Sequence, residues 1–308
     1  MFVRVIITMY FSVMKIPAPN HAFALLLLLI GMLLVANRSV ASQYPFDPVG
    51  ARHVGMGAAS AAMWMGPEAI YHNPASLVWQ TLTMGAGIQP VQFVDTPASW
   101  WVHFYNKETA YGVPAALVAQ GWDYTAPDGD NGHYLDLGLP VAFNFTDSTP
   151  GAATIHFAFE KRGDGKWEFE MPLDFGFLAR HPSGATLGIV ARGVTIGNNG
   201  LESVRERIEY GASYGAGGLL VLSTSVLWYK GDDWETVKDR YRIGGEFGGE
   251  SKIHVLGGYI HEPDNWFYTG GIVLRSDETG RFEFIYSVIY DHNREFFGHF
   301  IQYGVRWY

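Results

Sequence analysis

The chain has 308 residues with 37 glycines, 15% aromatic residues, no cysteine, 21 basic and 30 acidic side chains. The formal charge of −9 argues against nucleic acid as a partner, and the missing cysteine excludes disulfide frameworks and thiolate zinc sites. Abundant glycine and aromatic residues suit sheets that face lipid on one side and water on the other.

Residues 1–41 hold no acidic residue, three basic ones (Arg4, Lys15 and Arg38) and a 14-residue apolar run from Phe23 to Ala36. A membrane-spanning helix needs about 20 apolar residues. The run therefore reads as the core of an export signal peptide, with Ser39-Val40-Ala41 as the small residues before the cut. Translation from Met14 rather than Met1 would give this leader an ordinary length. Loss of its three positive charges leaves a mature chain from Ser42 with 18 basic and 30 acidic residues, a formal charge of −12.

Residues 42–80 show no strand alternation and read as a compact plug segment. Gly50, Arg52, Gly55 and Gly57 open it, and short helical pieces are expected at Ala58–Met65 and Glu68–His72, divided by Gly66-Pro67. A third piece opens at Asn73-Pro74-Ala75, where Asn73 caps free backbone N–H groups and Pro74 fits the first helical position, which needs no N–H. Gly55 and Gly57 do not make a nucleotide-binding loop, because no strand precedes them.

From residue 81 the pattern has period two. Leu135, Leu137, Leu139, Val141, Phe143 and Phe145 alternate with Asp136, Gly138, Pro140, Ala142 and Asn144, and Trp167–Phe177 repeats the device. The segments between turn signals are 81–89, 98–106, 109–120, 134–145, 151–161, 166–179, 185–196, 205–214, 217–229, 236–247, 252–261, 265–275, 281–290 and 296–308. Membrane strands need about nine to eleven residues, whereas the strands of a secreted sandwich average five or six. Most of these segments are of the longer kind, and only helices or closed barrels satisfy every backbone group in lipid. The fold class is therefore all-β, a transmembrane antiparallel β-barrel of about 14 strands with a short N-terminal α-helical plug, or hatch, in its lumen. Softer boundaries among the first three strands and at the eighth leave 12 as the alternative count. The turns at 181–184, 215–217 and 248–251 are tight, and the longest loop, 121–133, falls on the opposite, outer side.

The order Gly50-Ala51-Arg52, Gly55-Met56-Gly57-Ala58, then Asn73-Pro74-Ala75 and Leu77, just ahead of a 14-strand pattern, resembles the FadL/PorV superfamily of outer-membrane proteins. The motif match covers about 30 residues, and the strand count extends the resemblance loosely over the mature chain. The resemblance implies a hatch inside a 14-stranded barrel in the bacterial outer membrane. For the fatty-acid transporter branch it implies uptake of hydrophobic small molecules, which leave through a gap made by a kink in the third strand. For the PorV branch it implies a protein partner and no solute transport. Two departures stand out: Met65-Gly66-Pro67-Glu68 replaces the usual acidic pair, and the chain is shorter than typical members.

Pro114, beside Gly112, falls in the expected third strand, where a missing N–H must break the ladder. The pair is the candidate lateral gate. If the apolar face meets lipid, the lumen receives the acids Asp136, Glu168, Glu170, Asp174, Glu209 and Glu246 and the bases Arg192, Arg207, Arg242 and Arg306. These charges are expected to pair with one another and with the plug; the sharper alternative is a headgroup site anchored by Arg192, Arg207 or Arg242. The 11 histidines show no ligand spacing and no nucleophile–histidine motif is present, so no metal, cofactor or catalysis is expected. The expected function is diffusion of hydrophobic compounds across the outer membrane, with a partner-binding role of the PorV kind as the alternative.

Overall fold

The computed structural model describes residues 50–307, apart from 65, 67, 90–98, 108–111, 126–130, 164, 196–200, 202–205, 217–218, 264, 277–280 and 294. The expected signal peptide, 1–41, lies outside the described residues. The wall strands are β1 (Leu82–Gln89), β2 (Ser99–Asn106), β3 (Ala115–Thr125), β4 (Asn131–Thr146), β5 (Thr149–Arg162), β6 (Glu168–Glu170 and Leu173–Arg180) and β7 (Ala185–Val194). They continue as β8 (Arg207–Ala216), β9 (Leu220–Tyr229), β10 (Tyr241–Phe247), β11 (Ile253–Glu262), β12 (Asn265–Arg275), β13 (Phe282–Asp291) and β14 (Phe296–Trp307).

Each strand pairs antiparallel with the next, and β14 pairs with β1 from Trp307 opposite Leu82 to Ile301 opposite Ile88, so the ring is closed. The two pieces of β6 keep one register on β5, with Ala158 opposite Glu170 and Ile155 opposite Leu173. They are one strand interrupted at Met171-Pro172, and the count is 14, as the alternation predicts.

The side chains sort as the period of two requires. Val141, Phe143, Phe145, Phe175, Ile272 and Leu274 are exposed on the outside, while Asp136, Asp174 and Glu246 are buried inside. An apolar outer row on a wall whose backbone groups pair from strand to strand is what hydrocarbon demands. Among the described residues no helix is long and apolar enough to cross a membrane. The strands are the membrane-crossing elements.

Several boundaries differ from expectation. β3 begins at Ala115, so the expected break at Pro114 within the third strand is corrected: Pro114 stands just before the strand, and its carbonyl accepts a hydrogen bond from Ala142 N (2.9 Å) in register with β4. The strand prolines that do interrupt pairing are Pro172 and Pro140. Ala115 pairs with Val141 and Val118 with Gly138, while the stretch between, containing Pro140, drops out of the β3–β4 ladder. Residues 121–125 and 131–133, expected as outer loop, extend β3 and β4. The tenth strand starts at Tyr241 rather than 236, because Trp234–Lys238 forms a short helix capped by Asp233, whose carboxylate accepts from Thr236 N (2.8 Å).

The plug consists of α1 (Ala51–Gly55), α2 (Ala69–His72) and a 3-10 turn (Pro74–Trp79). Of the helix expected at Ala58–Met65, the described residues 58–64 form turns and irregular chain instead. Its carbonyls are taken by the wall: Ser223 Oγ donates to Ala59 (2.5 Å), Ser213 Oγ to Ala62 (3.0 Å) and Arg242 to Ala58 (3.4 Å). Carbonyls bonded to the wall need no helical partner, so tertiary contact overrides the helix propensity of the alanines.

Candidate functional site

Arg52, on α1, is wholly buried. Its guanidinium lies 3.0 Å from Glu68 of the plug, 2.6 Å from Glu246 of β10 and 3.1 Å from Glu283 of β13. Glu283 is also held by Arg275 (2.9 Å) and Arg306 (3.1 Å), and Glu246 by His254 (2.6 Å). Burial opposes the Arg52 charge, but the three carboxylates outweigh it and hold the group protonated well above the usual arginine range. Gln302 of β14 adds neutral ties, accepting from Ala51 N (2.9 Å) and donating to Glu68 (2.8 Å). Gly50 leads into α1 at φ +86°, a conformation that other residues rarely adopt, and Glu68 packs directly against it.

The wall is notched where the plug touches it. A methyl group on Gly188 would overlap the Ala61 carbonyl carbon (2.5 Å), one on Gly258 the Gly57 Cα (2.6 Å), and one on Gly176 the ring of Pro74 (2.8 Å). Gly57 itself sits at φ +65° and leaves only 2.5 Å between an added Cβ and the Ile243 carbonyl. Plug backbone therefore lies directly on wall backbone.

Asn73 joins three parts at once. Its Oδ1 accepts from Ala75 N (3.1 Å), and its Nδ2 donates to Ala61 O (2.7 Å) and to Phe177 O of β6 (3.1 Å). Losing a cap, one buried and one part-buried hydrogen bond through Asn73→Ala is expected to weaken plug docking by about 2 kcal/mol. Faster hydrogen exchange of the plug amides, with barrel amides unchanged, checks this.

Between α2 and the wall from β3 to β8 lies a cavity of about 50 Å³. Asp136, His156, Asp174, Arg192 and Arg207 supply its polar lining, and Tyr71, Trp122 and Tyr134 its aromatic lining. His156 stands between two carboxylates, with Nδ1 2.8 Å from Asp136 and Nε2 3.2 Å from Asp174. Asp174 also accepts from Gly193 N (2.8 Å). Arg192 donates to the His72 carbonyl and so ties the cavity to the end of α2. His72 stacks on His53 at 3.5 Å between centroids. Burial, then the neighbouring His72 and arginines, push His53 well below the usual imidazole range, so this ring is neutral.

Of the lumen residues expected from sequence, Asp136, Asp174, Arg192 and Arg207 meet in this cavity. Glu168 does not: it is exposed near the outer end of β6. Arg242 is buried under the plug, at Ala58 O and 3.8 Å from Glu262. Gly112 and Pro114, the expected lateral gate, lie in the turn before β3, and a methyl on Gly112 would meet nothing within 4 Å. Glu283 and Gln302, central to the plug network, carry no local sequence signal beyond falling on inward strand positions.

No protein-family model matches this chain, and no curated protein matches it by sequence. Solved structures match its fold. A TodX deltaS2S3 mutant, a monoaromatic hydrocarbon channel, superposes with a TM-score of 0.62 at 10% identity, covering 86% of this chain and 100% of its own. The toluene transporter TodX of Pseudomonas putida gives 0.56 at 10% identity, with coverage of 84% and 99%. A FadL homologue from Pseudomonas aeruginosa gives 0.56 at 10% identity, with coverage of 85% and 97%. The fold is thus that of the FadL-type barrels over about 85% of this chain and nearly the whole of theirs.

Proposed function

We infer that this protein is an outer-membrane channel through which hydrophobic small molecules enter by diffusion, and that they leave sideways through the wall between β3 and β4. The carrying observation is the position of the cavity. It lies between a plug held by buried ion pairs and the wall that includes the β3–β4 seam, where Pro140 interrupts the ladder. A seam with fewer backbone bonds opens more easily than any fully paired neighbour. That a hydrocarbon channel and a toluene transporter share this fold supports the channel part of the reading.

Pro140→Ala supplies the N–H that the seam lacks, so it is expected to slow entry of labelled toluene into proteoliposomes several-fold. Pro114→Ala, outside the strand, is expected to leave entry unchanged. Equal rates in Pro140→Ala and the parent would sink the lateral route. Absence of uptake above empty liposomes, with a partner protein co-purifying, would favour the PorV-like alternative.

A further inference from the structure

The hairpin β4–β5 is interrupted along both of its edges at nearly the same height of the wall. On the β3 side, Ala115 pairs with Val141 and Val118 with Gly138, and the ladder between them is missing. On the β6 side, Ile155 pairs with Leu173 and Ala158 with Glu170, and the ladder between them is missing as well. Pro140 stands in the first gap and Pro172 in the second, and neither has an N–H to give. What remains across the second gap is the bond from His156 N to the Pro172 carbonyl (3.0 Å). Between the gaps the hairpin itself stays paired, Leu139 with Ile155 and Gly138 with His156. It is a leaf that is firm within and loose along both edges.

A side-chain contact on the lumen side spans each loose edge. Gln120 Nε2 donates to Asp136 Oδ2 (2.9 Å) across β3–β4, and His156 Nε2 lies 3.2 Å from Asp174 Oδ2 across β5–β6. Within the leaf, Asp136 and His156 hold each other at 2.8 Å. The two gaps differ in what they adjoin. Thr154, His156, Pro172 and Asp174, from both sides of the second gap, line the cavity, whereas Pro140 does not. The lipid side of the second gap carries the exposed Ile155 and Met171. An unbranched methionine yields to a passing ring more readily than a branched or aromatic neighbour does.

On the reading that hydrophobic compounds leave sideways, we propose that the gap at Met171-Pro172 is a second lateral portal, between β5 and β6, with the His156–Asp174 ion pair as its bar. Cross-links across the two seams test it, and because the chain has no cysteine, introduced thiols can meet only each other. Ile155→Cys with Leu173→Cys bridges β5–β6, and Ala115→Cys with Val141→Cys bridges β3–β4. Pairs next to a hydrogen-bonded pair stand about 4.5 Å apart between Cα atoms, within the range of a disulfide. Oxidation of the 155–173 pair is expected to slow entry of labelled toluene into proteoliposomes several-fold, reduction to restore it, and closure of both seams to slow it further than either alone. Asp174→Asn, which keeps an acceptor for Gly193 N, is expected to speed entry several-fold, and the 155–173 cross-link should cancel that gain; should this variant fail to fold, His156→Gln must behave the same way.

Entry unchanged by the 155–173 cross-link, or reduced to the empty-liposome level by the 115–141 cross-link alone, would overturn the second portal and leave the β3–β4 route standing. A gain in Asp174→Asn that survives the 155–173 cross-link would overturn the ion pair as the bar. Entry unchanged with both seams closed would instead overturn the sideways exit on which the proposal rests.

Discussion

Arg52→Met is expected to free the plug while the barrel persists. The substitution leaves Glu68, Glu246 and Glu283 buried without the guanidinium that now lies within 3.1 Å of each. Removing one partner of a buried charge cluster costs about 3–5 kcal/mol, because the remaining charges cannot recover their hydration. Docking of the plug should weaken by at least about a hundredfold. In planar bilayers the variant should show stepwise ionic conductance where the parent is silent, and added protease should cut within 50–80. Arg52→Lys should fall between the two, since one ammonium cannot reach three carboxylates with the fork of a guanidinium. A variant as silent and protease-resistant as the parent would refute the locking role.

The second large effect is steric. Gly244 of β10 packs against the backbone of Met56, and an added methyl would overlap the Met56 carbonyl and lie 2.9 Å from its Cα. Backbone cannot rotate aside as a side chain does, so Gly244→Ala must push the plug off the wall or deform the strand. A cost of about 3 kcal/mol, at the upper end for an overpacked interior, is expected. Gly257, one strand away, provides the control, because a methyl added there would meet no atom within 4 Å. Gly257→Ala should be neutral or slightly stabilising, as loss of glycine freedom in the unfolded chain predicts. Thermal unfolding of the two variants, followed by the shift in gel mobility of heated samples, separates these outcomes.

The wall was legible because its signal is local and repeated. Alternation from Leu135 to Phe145 and from Trp167 to Phe177 fixes which side chains meet lipid, and the even number of segments is what ring closure requires. Asn73-Pro74 was legible as a helix start for the same reason, although the wall bond from Asn73 to Phe177 was not. What escaped was set by distance along the chain. Arg52 meets Glu283 across 231 positions, and no spacing rule connects them. The Ala58–Met65 helix was expected from residue preference and lost to wall hydroxyls on Ser213 and Ser223. Pro114 misled because a proline alone does not disclose whether it stands inside a strand or one residue before it. Asp233, with Glu235 behind it, was a helix-start signal that the strand period obscured. Asp136, Asp174, Arg192 and Arg207 do line one site, since inward facing follows from parity, but Glu168 and Arg242 do not, since parity says nothing of depth along the barrel or of position around it.

The closure of β14 on β1 carries a consequence for biogenesis. The plug emerges early during synthesis, yet Ala51 is bonded to Gln302, 251 positions later, and Arg52 to residues on β10 and β13. Contacts of such sequence separation form slowly, because the chain entropy between them must be lost before they contribute. Until the final strands arrive, the plug has half a cradle, and its arginine has no complete set of counter-charges. Pairing of the last hairpin therefore removes the open sheet edge and, in the same event, completes the set of carboxylates around Arg52.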